Sequence, residues 1–116
     1  QSNKNIGVDW SQVSMKLREL LHNTRYQIEH QVFNEDELAV RFHHQLVLIH
    51  AFANGNGRHA RLLADLLIMR LGRPRLTWGS ASESHTPSGV VRQKYLAALR
   101  EADQGQIDGL IEFARS

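Results

Sequence analysis

The chain has 116 residues, 41% of them hydrophobic and 22% charged, with only two prolines; this supports a single folded domain over 1–116 and excludes an intrinsically disordered chain. Cysteine is absent, which excludes disulfide scaffolds, zinc fingers and cysteine nucleophiles. No apolar run approaches the ~18 residues of a membrane span, and a net charge of +2 is too small to mark a nucleic-acid surface by itself; a cytoplasmic protein with no membrane or nucleic-acid partner is the expectation.

Residues 1–8 are polar around Gly7 and predict a loop or a short strand. Asp9, with Gln12 at the capping-box position, opens a predicted helix on which Val13, Leu17, Leu20, Leu21, Thr24 and Ile28 recur at helical spacing to about His30. Asn34 followed by Glu37 marks a second start. That helix is apolar nearly all round through Leu38, Val40, Phe42, Leu46, Val47, Leu48 and Ile49, which predicts a central place in the core and an end near Ala51. A third helix runs from Arg58 to about Leu71 and stops at Gly72 and Pro74. Residues 75–88 are rich in turn formers and predict a surface loop. Two further helices are expected, Val90 to about Ala102 and Ile107 to about Ala114, so the fold class is all-α.

The chemistry concentrates in His50-Ala-Phe-Ala-Asn-Gly-Asn-Gly-Arg-His-Ala-Arg61. A central helix ends in an imidazole, a glycine turn follows, and a new helix starts with Arg58 and Arg61 at i and i+3 on one side. Backbone N–H groups in such a turn form a concave nest, and the helix start adds about half a positive charge. This is an anion site suited to phosphate, with two guanidinium groups placed to clamp it. Each part alone is ordinary: a turn, a solvated arginine face with Asp65 able to pair with Arg61, a packed histidine. Their conjunction in twelve residues is not.

The segment resembles the signature of the Fic family with its Doc branch, His-x-Phe-x-Asp/Glu-Gly-Asn-Gly-Arg-x-x-Arg; of the defined positions only the acidic one differs, being Asn54 here. The flanking Arg-Phe-His-His-Gln-Leu-Val-Leu-Ile-His and Leu-Leu-Ala-Asp-Leu-Leu resemble a bacterial branch known as mobile mystery protein B. The resemblance implies a Fic-type helical domain and a protein nucleotidylyltransferase, moving AMP from ATP onto a Ser, Thr or Tyr hydroxyl of a target protein. It implies His50 as general base, and Gly55, Asn56 and Gly57 as the cradle of the α- and β-phosphates. Arg58 would neutralise the β-phosphate side of the leaving group, Arg61 would hold the γ-phosphate, and Phe52 would anchor the loop. The usual acidic residue helps to hold Mg²⁺; Asn54 offers an uncharged oxygen instead, so a weakly held ion is expected. The alternative is a degenerate member that binds nucleotide and acts through a partner.

Many family members are silenced by a helix carrying Ser/Thr-x-x-x-Glu, and no Glu in this chain has Ser or Thr four residues before it. Any inhibitor is therefore expected on another chain, as an antitoxin-like partner, or on a missing N-terminal part. Lys4-Asn-Ile-Gly-Val8 resembles only the returning strand of the family's target-docking hairpin, so residues 1–8 are expected to be a flap remnant and the chain the C-terminal part of a longer protein.

Other candidates read more plainly. His43 and His44 point to different helix faces and predict packing rather than a metal. His59 is expected in solvent, and Arg70, Arg73 and Arg75 form a solvated helix end. Trp78 and His85 stand where they could border a base pocket, although a loop role is the simpler expectation.

Overall fold

The computed structural model describes residues 10–49, 56–80 and 88–116. Its helices are α1 (Trp10–Glu29), α2 (Glu35–Ile49), α3 (Asn56–Arg70), α4 (Ser88–Asp103) and α5 (Asp108–Ala114), and the described residues contain no strand. The expected all-α class is the one observed. The Asp9 cap, the flap remnant at 1–8 and the end of α2 near Ala51 fall outside the described residues.

Helix α2 begins as its sequence dictates. Asn34 Oδ1 accepts the Glu37 backbone N–H at 2.8 Å, and Glu35, Asp36 and Glu37 set negative charge against the positive helix start. Its apolar circumference places it in the middle, packed against α1, α3 and α5. One cluster joins Phe42 and Leu46 to Ala60, with Leu17 and Leu20 of α1 leaning on it. A larger one joins Ala39 and Val40 to Ala64 and Ile68, then to Leu76, Tyr95, Ala98 and Leu110. The order in which α2 residues meet α3 residues is that of an antiparallel hairpin. The C-terminal end of α2 and the N-terminal end of α3 therefore lie at one end of the domain.

The alanines explain how closely these helices approach. Ala39, Ala60 and Ala64 are fully buried, whereas Leu62, Leu66 and Met69 of α3 are about half exposed. The face of α3 turned to the core is thus its small-residue face, because only small side chains let two backbones come close. On α1 the expected stripe holds at Val13 and Thr24, but Leu21 and Ile28 are exposed. Helix α3 closes on Gly72, whose φ of 88° lets its N–H reach Met69 and that of Arg73 reach Ile68, a left-handed cap that favours glycine.

Residues 75–88 correct the surface-loop expectation over their first part. Leu76 is 1% exposed. The backbone N–H groups of Thr77 and Trp78 both donate to the Ala114 carbonyl, at 2.8 and 2.9 Å. This segment is stitched to the end of α5 and sends Leu76 into the core, with Trp78 packed against it. The chain end is held in turn by Arg115, which reaches the first turn of α2. None of the described helices is long and apolar enough to cross a membrane.

Candidate functional site

Of the motif, the described residues include the first turns of α3. His50, Phe52, Asn54 and Gly55 lie outside them, as does His85, and of Asn56 only its place at the head of α3 is described. Gly57 and Arg58 follow in the first turn, Arg58 exposed and Arg61 half-buried one turn further on. The ion pairs among the described residues involve neither arginine. Among the described residues neither positive charge has a carboxylate partner, and both stand near a helix N-terminus, where unpaired N–H groups already favour an anion.

The Arg61–Asp65 pair that the i, i+4 spacing allows is not among the ion pairs of the described residues. Asp65 is buried, and its Oδ1 accepts the indole N–H of Trp78 at 2.9 Å. Burial pushes its carboxyl above the ordinary range, the Trp78 hydrogen bond opposing that shift. Arg61 instead lies over the face of Tyr95, its Cζ 5.0 Å from the ring centroid, a cation–π distance. Its Nη1 reaches back to the helix start: a Cβ built on Gly57 would stand 3.6 Å from it and 3.2 Å from the Tyr95 hydroxyl.

Beneath this turn runs a buried polar chain. Tyr95 Oη and His43 Nε2 are 2.8 Å apart. Burial drives the His43 imidazole down to about 4, with the charges of Arg61 and His44 adding to the effect and the Ala60 backbone opposing it. Burial likewise raises the Tyr95 phenol, against the nearby Arg61 charge. Tyr95 is therefore protonated and His43 neutral, and the imidazole tautomer sets which of the two donates in the bond between them. The His43 Nδ1 atom has no hydrogen-bond partner among the described residues; the Ala60 backbone is near enough to favour a proton on the ring without completing a bond.

Trp78 completes the layer, its ring centroid 4.5 Å from that of His43. Its φ of 51° is a left-handed conformation unusual for a bulky residue. The backbone bond to Ala114, the indole bond to Asp65 and the contact with His43 together hold it there. Trp78 thus belongs to the support under α3 rather than to the rim of a base pocket.

The bland readings of His43 and His44 hold: both are packed, His44 Nε2 donating to Asp103 Oδ1 at 2.8 Å. His59 and Arg70 are exposed. Arg73 sits 3.5 Å from Asp36. No three His, Asp or Glu side chains among the described residues gather in a way that could hold a metal. A groove of about 600 Å³ lies on another side of α2, between α1 and the α4–α5 turn, lined by Arg41, His44, Gln45, Leu48 and Ile49 among others. Sequence reasoning missed Tyr95 and His43 as neighbours of the motif; the one available signal was a tyrosine on the apolar face of α4.

The chain is 35% identical over 82 residues to the protein adenylyltransferase Fic of Aedes aegypti, covering 71% of this chain and 15% of that protein. It is 34% identical over 94 residues to the Culex quinquefasciatus protein of the same name, covering 81% and 15%. It is 35% identical over 77 residues to the Caenorhabditis elegans protein adenylyltransferase fic-1, covering 66% and 13%. The chain thus spans about 15% of the length of these relatives, which come from animals and lend no support to a bacterial branch. No solved structure gives a significant match. The Fic/DOC family model matches residues 6–68, more than half of the chain, and the protein belongs to the Fic/DOC family.

Proposed function

We propose that this chain is the nucleotide-handling part of a protein adenylyltransferase, transferring AMP from ATP to a Ser, Thr or Tyr hydroxyl of a target protein. The observation that carries the reading is the first turn of α3, where Nη1 of Arg61 lies close to Gly57, Arg58 is exposed, and neither arginine enters an ion pair among the described residues. The names of the animal relatives support the same reaction class.

In this reading the target hydroxyl oxygen attacks the α-phosphorus of ATP and its proton passes to His50, an imidazole suited to general-base work near neutral pH. The bond from the α-phosphorus to the bridging oxygen breaks, and pyrophosphate leaves. Backbone N–H groups over Gly55–Gly57 and the Asn56 side chain stabilise charge on the α- and β-phosphates. Arg58 neutralises the β-phosphate as it becomes the leaving group, and Arg61 holds the γ-phosphate. Mg²⁺ would arrive with the triphosphate, with the Asn54 oxygen as a ligand from this chain; the ion would offset phosphate charge. The protein would work in the cytoplasm, with an inhibitory or antitoxin-like helix supplied from outside these residues.

Asn54 in place of a carboxylate favours a second reading, a member that binds nucleotide and acts through a partner without efficient transfer. Incubating the protein with a cell extract and ATP labelled at either the α- or the γ-phosphate separates the two. Protein labelled from the α-position alone is the expected result. Label from the γ-position alone means phosphoryl transfer instead. No label, with ATP still bound, leaves the binding reading.

A further inference from the structure

The geometry points to Tyr95 as a positioning residue for the triphosphate site: its ring is the platform that holds the Arg61 guanidinium at the mouth of α3, and its hydroxyl props the Gly57 turn. This deepens the proposed function and rests on it.

Tyr95 lies on α4, outside the residues 6–68 matched by the family model. It is 6% exposed and fixed from several sides. Its hydroxyl is bonded to His43, itself fully buried, and its ring packs against Phe113, with centroids 5.6 Å apart. A ring so held cannot follow a moving guanidinium, so Arg61 must come to it. An arginine side chain has several rotatable bonds, and without a partner the Arg61 guanidinium would spread over many positions at the half-exposed surface of α3. The ring face confines it, with Cζ at 5.0 Å, to the side on which Nη1 approaches Gly57. The ordering cost is met before the anion arrives, so the anion gains the full attraction. A ring face leaves the guanidinium its charge for phosphate oxygens, whereas a carboxylate partner would neutralise it.

The platform and the prop are separable. Tyr95→Phe keeps the ring and removes the hydroxyl; Tyr95→Leu removes the ring and keeps a buried apolar side chain. Both variants are first checked for a cooperative thermal transition and unchanged helical circular dichroism. Binding of ATP and of AMP is then measured by calorimetry. In Tyr95→Leu, ATP binding falls roughly threefold to thirtyfold, while AMP, which offers nothing to Arg61, binds as in the wild type. Tyr95→Phe retains most of the ATP affinity. In an Arg61→Ala background, Tyr95→Leu causes no further loss. Tyr95→Leu binding ATP like the wild type, or losing ATP and AMP affinity equally, overturns the inference while leaving the proposed function standing. A wild-type chain that binds no triphosphate overturns the parent reading instead. The platform itself is then read by NMR: ring currents shift the Arg61 side-chain signals in the wild type and Tyr95→Phe but not in Tyr95→Leu, and signals that do not differ among the three contradict it.

Discussion

Arg115 grips Asp36 through two parallel hydrogen bonds, Nε to Oδ2 at 2.8 Å and Nη2 to Oδ1 at 2.7 Å. Its remaining nitrogen, Nη1, donates to the carbonyls of Pro74 and Arg75. One side chain near the end of the chain thus ties α5, the segment after α3 and the first turn of α2. The Arg115 hydrogen bond, aided by Arg73 and opposed by burial, holds the Asp36 carboxyl below its ordinary range. Arg115→Ala should lower stability by about 1–3 kcal/mol, the scale of hydrogen bonds to charged groups, and Arg115→Lys should recover only part of that. Urea unfolding of the three proteins measures it. The Asp36 contribution is present above the ordinary carboxylate range and fades as the pH falls through the lowered value.

His43 predicts a second, separate loss at milder acidity. Its folded value of about 4 lies below the 6.5 of an unfolded histidine, so the unfolded chain takes up the proton first. Stability is full above pH 6.5 and declines as the pH falls towards 4, by about 2 kcal/mol between pH 6.5 and 5. His43→Gln, which still offers Tyr95 an acceptor, should flatten that slope. Equal slopes for the two proteins would count against a buried neutral imidazole.

Gly57 meets a neighbour that cannot yield. A Cβ there stands 3.2 Å from the Tyr95 hydroxyl, which its bond to His43 fixes in place. Gly57→Ala should therefore weaken ATP binding severalfold, and adding Tyr95→Phe should restore part of it. Calorimetric titration of the single and double variants measures the coupling, which is expected for residues in direct contact.

Asn54 bears on the cation. Asn54→Asp adds a charged oxygen at the position where the family signature is acidic, and should lower the Mg²⁺ concentration for half-maximal ATP binding by roughly tenfold. An unchanged Mg²⁺ requirement would show that the substrate phosphates alone set it.

Much of this was readable in the residues. The Asn34–Glu37 cap and the Gly72 stop depend on local chemistry and appear where the spacing puts them, and most of the apolar residues of α2 are buried, although Leu48 is about half exposed. The buried face of α3 was not legible: periodicity marks where leucines recur, whereas close helix packing selected Ala60 and Ala64. Trp78 was misread because a turn-rich segment ordinarily lies at the surface, and its hold depends on Asp65, His43 and Ala114 at once. The motif itself is contiguous and stood out. Its support did not, since Tyr95 and His43 lie 52 positions apart and only the packing of α4 brings them together.

The central claim is that the turn into α3 binds a nucleoside triphosphate through its two arginines. Calorimetric titration of ATP into the wild-type chain and into Arg58→Ala/Arg61→Ala, with both shown to be folded, tests it directly. The account predicts clear association with the wild type and at least about a tenfold loss in the double variant, as expected when two charge-assisted contacts are removed. Undetectable binding of ATP to the wild type, or equal affinity in the two proteins, would contradict it.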